Sequence, residues 1–203
     1  MSVSSTGPMR DPLPPSLVDT LIEDEYVDDV VGLPGVQVPE WLKLLGIPPG
    51  WELRPLPDDA NLPWARIAVT GPRGGGEWDA ADTISVFGYT GRPFFSDVFH
   101  NADRMLRGMN ATDIAVKALP VPPIQWTAAV RSSGIAHLGD HSVWIQQSNY
   151  VAGSEQLRAG RLFVHSLYVD TACRDRLSGD ISVLSDGVYQ GFLAGLAAGQ
   201  PTS

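Results

Sequence analysis

Apolar residues recur at every third or fourth position near both ends of the chain and at every second position through much of its middle. Leu17, Leu21, Val27 and Val30 fall at helical spacing, which predicts a helix over 17–31 that Gly32 and Pro34 stop. Ser16, with Asp19 three residues on, reads as an N-cap in capping-box geometry. A short amphipathic helix is predicted over Pro39–Gly46, with Trp41, Leu42, Leu44 and Leu45 on its apolar side. After the turn at Pro48–Gly50 the period changes to two. Strands are predicted at Trp51–Leu56, Trp64–Thr70 and Asp82–Tyr89, the last two as an antiparallel pair joined by a long, flexible loop, Gly71–Trp78. Pro93 opens a predicted helix striped with Phe95, Val98, Phe99, Ala102, Met105 and Leu106, and Gly108 ends it.

Further strands are predicted at Trp126–Arg131, Val143–Tyr150 and Arg161–Val169. The last is apolar on both faces, with Phe163, Leu167 and Val169 on one and Leu162, Val164 and Tyr168 on the other. Such a strand is central in its sheet or meets a neighbouring subunit. Cys173–Ala198 reads as a closing helix lined by Leu177, Ile181, Leu184, Val188, Phe192 and Leu196. Gly187, Gly191, Gly195 and Gly199 recur every four residues along it. That stripe is either a frayed end or a surface for close docking. The resulting expectation is an α+β fold: a mostly antiparallel sheet of about five strands with helices packed on it, plus N- and C-terminal helical extensions. Residues 1–15 form an expected mobile arm, 16–171 the core domain and 172–203 the C-terminal extension.

The chain has 203 residues, 43% apolar and 18% charged, which suits one domain with a packed core. No run of about 18 apolar residues predicts a membrane-spanning helix. Met1–Arg10 lacks a basic start followed by an apolar stretch, so no signal peptide is expected. The single cysteine, Cys173, argues against an internal disulfide framework and suits a reducing compartment. The formal charge of −9 argues against sequence-independent nucleic-acid binding. The acidity is concentrated: residues 1–60 hold eleven acids against three bases, and the rest of the chain is nearly balanced. Within that stretch the run from Glu23 to Asp29 reads as a solvated face, or as an acidic patch that steers basic partners.

Catalytic signatures are absent from the sequence. There is no G-x-S-x-G elbow, and the Gly74-Gly75-Gly76 run lacks a phosphate-loop lysine. Glu77 and Asp79 beside that run would repel a phosphate. His137 and His141 flank Gly139-Asp140, which reads as a turn between strands, so no metal site is expected. His165 reads as a satisfied core or interface histidine. Cys173 has Arg174 and Arg176 nearby but no base or orienting partner. No acid, base and nucleophile assemble, so neither an enzyme nor a cofactor is expected. Trp78, on the glycine-rich loop, stands out among the six tryptophans as a candidate interface anchor.

The order of elements carries a resemblance. PEWLKLLG (Pro39–Gly46), LPDD…LPWARIAVTG (Leu56–Gly71), GGGEWDAAD (Gly74–Asp82), ISVFGY (Ile84–Tyr89), a helix over Phe94–Met109 and the late strand Arg161–Val169 follow one another as in the tail terminator proteins of long-tailed phages, which the chain resembles over about Pro39–Val169. The long acidic N-terminal segment and the helix after Thr171 depart from that pattern. The resemblance implies a non-enzymatic virion protein, assembled in the host cytoplasm and placed at the head–tail junction. It would form a hexameric ring of copies of itself between the tail tube protein and the head-side connector, with genomic DNA passing through unbound and no membrane involved. Arg73, Gly74, Gly75, Gly76, Glu77 and Trp78 would then meet the tube or a neighbouring ring, and Phe163, His165 and Leu167 a neighbouring subunit. Gly50-Trp51, the antiparallel sheet and the final helix also resemble Mog1/PsbP-like single-domain proteins of actinobacteria, which implies a compact sandwich with both sheet faces covered by its own helices.

Overall fold

A computed structural model describes residues 15–56, 63–74 and 77–199, so the expected arm and the tip glycines Gly75 and Gly76 lie outside the described residues. The region read as one helix over 17–31 splits in two. Helix α1 (Leu17–Glu23) starts at Ser16, whose side chain caps the helix while the Asp19 carboxylate accepts the Ser16 N–H at 2.6 Å. It ends at Asp24, whose Oδ1 accepts the Tyr26 N–H at 2.8 Å and turns the chain into strand β1 (Val27–Gly32). The β-branched Val27, Val30 and Val31 favour extended backbone, and pairing with a later strand outweighs the helical spacing.

A single helical turn at Gly35–Gln37 and helix α2 (Glu40–Lys43) lead to strands β2 (Trp51–Leu53), β3 (Trp64–Gly74) and β4 (Glu77–Gly91). The expected long loop at Gly71–Trp78 is instead hairpin: β3 and β4 pair out to Gly74 opposite Glu77. The glycine and charge pattern that suggested a loop marks a twisted, irregular hairpin end, where Gly71 adopts a positive φ and the Asp79 side chain fills the space a Cβ would take.

The helix predicted after Pro93 is broken into α3 (Phe95–His100) and α4 (Arg104–Gly108). Asn101 donates its side-chain N–H to the Asp97 carbonyl at 2.9 Å, and the Ser132 hydroxyl reaches the Ala102 carbonyl at 2.9 Å. The Asp97 carbonyl keeps its helical bond from the Asn101 backbone N–H at 3.1 Å, whereas the Ala102 carbonyl, which a continuous helix would use, is taken by Ser132. Strands β5 (Thr112–Ala118), β6 (Thr127–Leu138), β7 (His141–Ala152) and β8 (Gly160–Asp170) follow, then a turn at Thr171–Cys173 and helix α5 (Ser178–Ala197).

All eight strands among the described residues form one antiparallel sheet, in the order β2-β3-β4-β8-β7-β6-β5, with β1 added beside β4. The fold is α+β as expected, but the sheet has eight strands rather than about five. The pattern missed β1, masked by its helical spacing, and β5, an exposed edge strand with little apolar alternation. Helices α1, α3 and α4 cover one face through Leu17, Leu21, Val98 and Leu106. Helices α2 and α5 cover the other through Leu42, Leu184, Val188 and Phe192. α5 is thus an integral layer of the same core, and the glycine stripe is a docking surface: the Trp41 ring lies against Gly191 and Gly195.

Candidate functional site

Alternation along the strands sets three ionisable residues side by side on the face under α5. Arg66 comes from β3, Asp82 from β4 and His165 from β8. The Arg66 guanidinium donates to Asp82 Oδ2 from Nε at 3.0 Å and from its second terminal nitrogen at 2.8 Å. His165 Nε2 lies 2.6 Å from Asp82 Oδ1. All three are buried, Asp82 completely. Burial by itself raises the Asp82 carboxyl, but His165 and Arg66 outweigh it and hold the group below its ordinary range.

The polar row continues across the sheet. Ser148, opposite His165, accepts from Arg131 Nε at 2.8 Å, and Gln146 donates to Ser185 of α5 at 2.7 Å. His165 Nδ1 is buried without a hydrogen-bond partner. A general acid or base must come within hydrogen-bond reach of a substrate. This row lies beneath a helix, so its chemistry is that of a fixed internal ion-pair network, which specifies strand register and the seating of α5. His165 is therefore the core histidine of the two alternatives read from the sequence. Arg66 and Asp82 were not singled out there. The signal was present: each is a charge on the inward parity of a strand, Asp82 in phase with Ile84 and Val86.

The residues expected at a subunit interface are placed differently. Phe163, His165 and Leu167 are 0%, 1% and 0% exposed, enclosed by their own chain, and the Phe163 ring packs 5.3 Å from Trp41 and 6.0 Å from Phe192. They offer nothing to a second copy. A strand apolar on both faces is here the central one, hydrogen-bonded between β4 and β7. Of the expected tube-facing residues, Arg73 and Gly74 close β3, while Glu77 and Trp78 open β4. Glu77 and Trp78 share a shallow hollow of about 280 Å³ with His141 and Asp170. His141 lies 3.6 Å from Glu77 and 3.9 Å from Asp170, whereas His137 faces the Ser142 hydroxyl at 3.2 Å, so the two histidines serve different neighbours. Trp78 is half-buried, with the Arg54 guanidinium 5.0 Å from its ring centroid.

A cleft of about 450 Å³ lies between the α1–β1 turn and α3. Glu23, Asp24, Glu25 and Asp97 line it, with the rings of Tyr26 and Phe94 meeting edge-to-face at 5.0 Å. Arg104 forks onto both Glu23 oxygens at 2.8 and 3.0 Å, and that hydrogen bonding holds the Glu23 carboxyl below its ordinary range. The Glu25 carboxylate raises the Tyr26 phenol. The Asp24 oxygen not used by the Tyr26 N–H is buried without a partner.

No protein-family model matches the chain, and no curated protein matches it. Among solved structures, one similar chain is LpqN of Mycobacterium tuberculosis, a protein involved in cell envelope biogenesis. The two superpose with a TM-score of 0.53 at 16% identity, covering 70% of this chain and 79% of LpqN. At that identity the likeness is one of fold.

Proposed function

We propose that the chain is a non-catalytic binding module of the Mog1/PsbP-like type, acting as a monomer in cell-envelope biogenesis. One observation carries this reading: the chain's own helices cover both faces of the sheet and bury β8 on both sides, so that among the described residues no apolar sheet face is left to be completed by copies of itself. The shared fold with LpqN supports the envelope setting. The enclosure of Asp82 and His165, beyond reach of a substrate, supports a binding role over a catalytic one. Light scattering on the purified chain, with fractionation of cells expressing a tagged copy, tests it. A single-chain mass and recovery with envelope material are expected. A ring-sized mass and recovery with tailed particles would overturn it.

A second reading, the ring-forming tail terminator, draws on one feature. The outer edge of β5 has no strand beside it among the described residues, and an open edge is where strands of adjacent copies join. The same scattering experiment separates the two readings.

A further inference from the structure

We infer that the cleft between the α1–β1 turn and α3 receives a basic side chain from a partner protein, an arginine flanked by apolar residues. This gives the proposed binding module its partner chemistry and rests on that reading.

Two independent features converge on it. The first is exposed aromatic surface: Tyr26 and Phe94, both lining the cleft, are each about half exposed, where folded chains ordinarily cover rings unless a partner does so. The Tyr26 and Phe94 rings stand edge-to-face at 5.0 Å, an aromatic pair at the cleft with which a cation can interact. The second is charge. Of the four carboxylates at the cleft, the described cations pair only with Glu23, through Arg104; Asp24, Glu25 and Asp97 have no cation within ion-pairing distance. A guanidinium between those acids and the rings would gain both charge-assisted hydrogen bonds and stacking.

The cleft also suits a side chain better than a whole small molecule, being open and shallow between two short elements.

The test is a titration of the full chain, followed by amide NMR shifts, with the tripeptide acetyl-Leu-Arg-Leu-amide. Its citrulline analogue, equal in shape but uncharged, is the control, and calcium chloride is a second. Saturable shifts at Tyr26, Phe94 and Asp97 are expected, with a Kd on the order of 1 mM for so small a probe. Phe94→Ser and Asp97→Lys, both at exposed positions, should each weaken binding about tenfold while the rest of the spectrum stays in place. The inference is overturned by no saturation, by equal binding of the citrulline peptide, by equal shifts with calcium, or by undiminished binding in both variants. A chain that scatters as a single copy yet fails this titration loses the cleft assignment and keeps the binding-module reading.

Discussion

His165 Nε2 meets one oxygen of Asp82 at 2.6 Å while Arg66 takes the other at 2.8 Å, so a single buried carboxylate ties β3, β4 and β8 together beneath α5. Asp82→Asn keeps the volume and removes the charge, leaving Arg66 buried without a counter-ion. The expected cost is about 3–5 kcal/mol of stability, read by urea unfolding. The triple change Arg66→Met, Asp82→Leu, His165→Phe should recover most of that loss, because an apolar replacement leaves no charge stranded. A triple variant as unstable as Asp82→Asn would show that the network contributes more than specificity.

The same carboxylate sets an acid limit. Its folded-state pKa lies below its ordinary value of 3.8, so its contribution to stability is complete above that value and is lost as pH falls through the lower, folded value. Melting temperature should fall below about pH 4. In Asp82→Asn that part of the profile should flatten. An identical acid slope in the two proteins would assign the acid sensitivity to other carboxylates.

Gly191 and Gly187 lie one turn apart on α5 and should respond with opposite signs. A Cβ on Gly191 would sit 2.4 Å from the Trp41 ring, so Gly191→Ala should lose about 1–3 kcal/mol. A Cβ on Gly187 meets only Leu45, at 3.8 Å, and Gly187→Ala should gain about 0.5–1 kcal/mol from helix propensity alone. Thermal unfolding of the pair checks this. Two neutral outcomes would mean that α5 does not hold Trp41 as tightly as these distances require.

Trp78→Ala should cost about 1 kcal/mol, since the ring is half-buried and its clearest polar contact is the Arg54 guanidinium. On the binding-module reading its mass in solution is unchanged. A lowered mass would restore the interface role that the sequence suggested for it.

The parts of this fold that rest on strong local signals were legible in the sequence. Ser16 and Asp19 announced a helix start and form the cap, and the alternation in Val143–Tyr150 and Arg161–Val169 marked the two central strands. What failed had competing local and long-range terms. Val27 and Val30 share helical spacing with Leu17 and Leu21, yet β4 recruits them into a strand. Thr112–Ala118 pairs only along one edge and turns just Ile114 and Val116 inward, an alternation too short to stand out in the sequence. The interface expectation failed for a related reason: an apolar strand carries the same letters whether its cover is a helix of the same chain or another subunit. The Arg66–Asp82–His165 network was only half visible, because strand parity shows which face a charge occupies but not which charges register brings together.

Strand β4 has one flank filled along its length by β8, while the other is divided, with β3 against its first part and β1 against its last. Gly32, at the end of β1, abuts Pro63 just before β3 begins, so the two segments meet end to end like boards laid along one beam. A version of the chain trimmed to start after Gly32 would strip the last part of that flank and leave Phe87–Gly91 as a bare template. Such a trimmed chain should recruit stray strands and form fibrils or swapped dimers, which makes β1 a guard against self-templating as much as a contributor to stability.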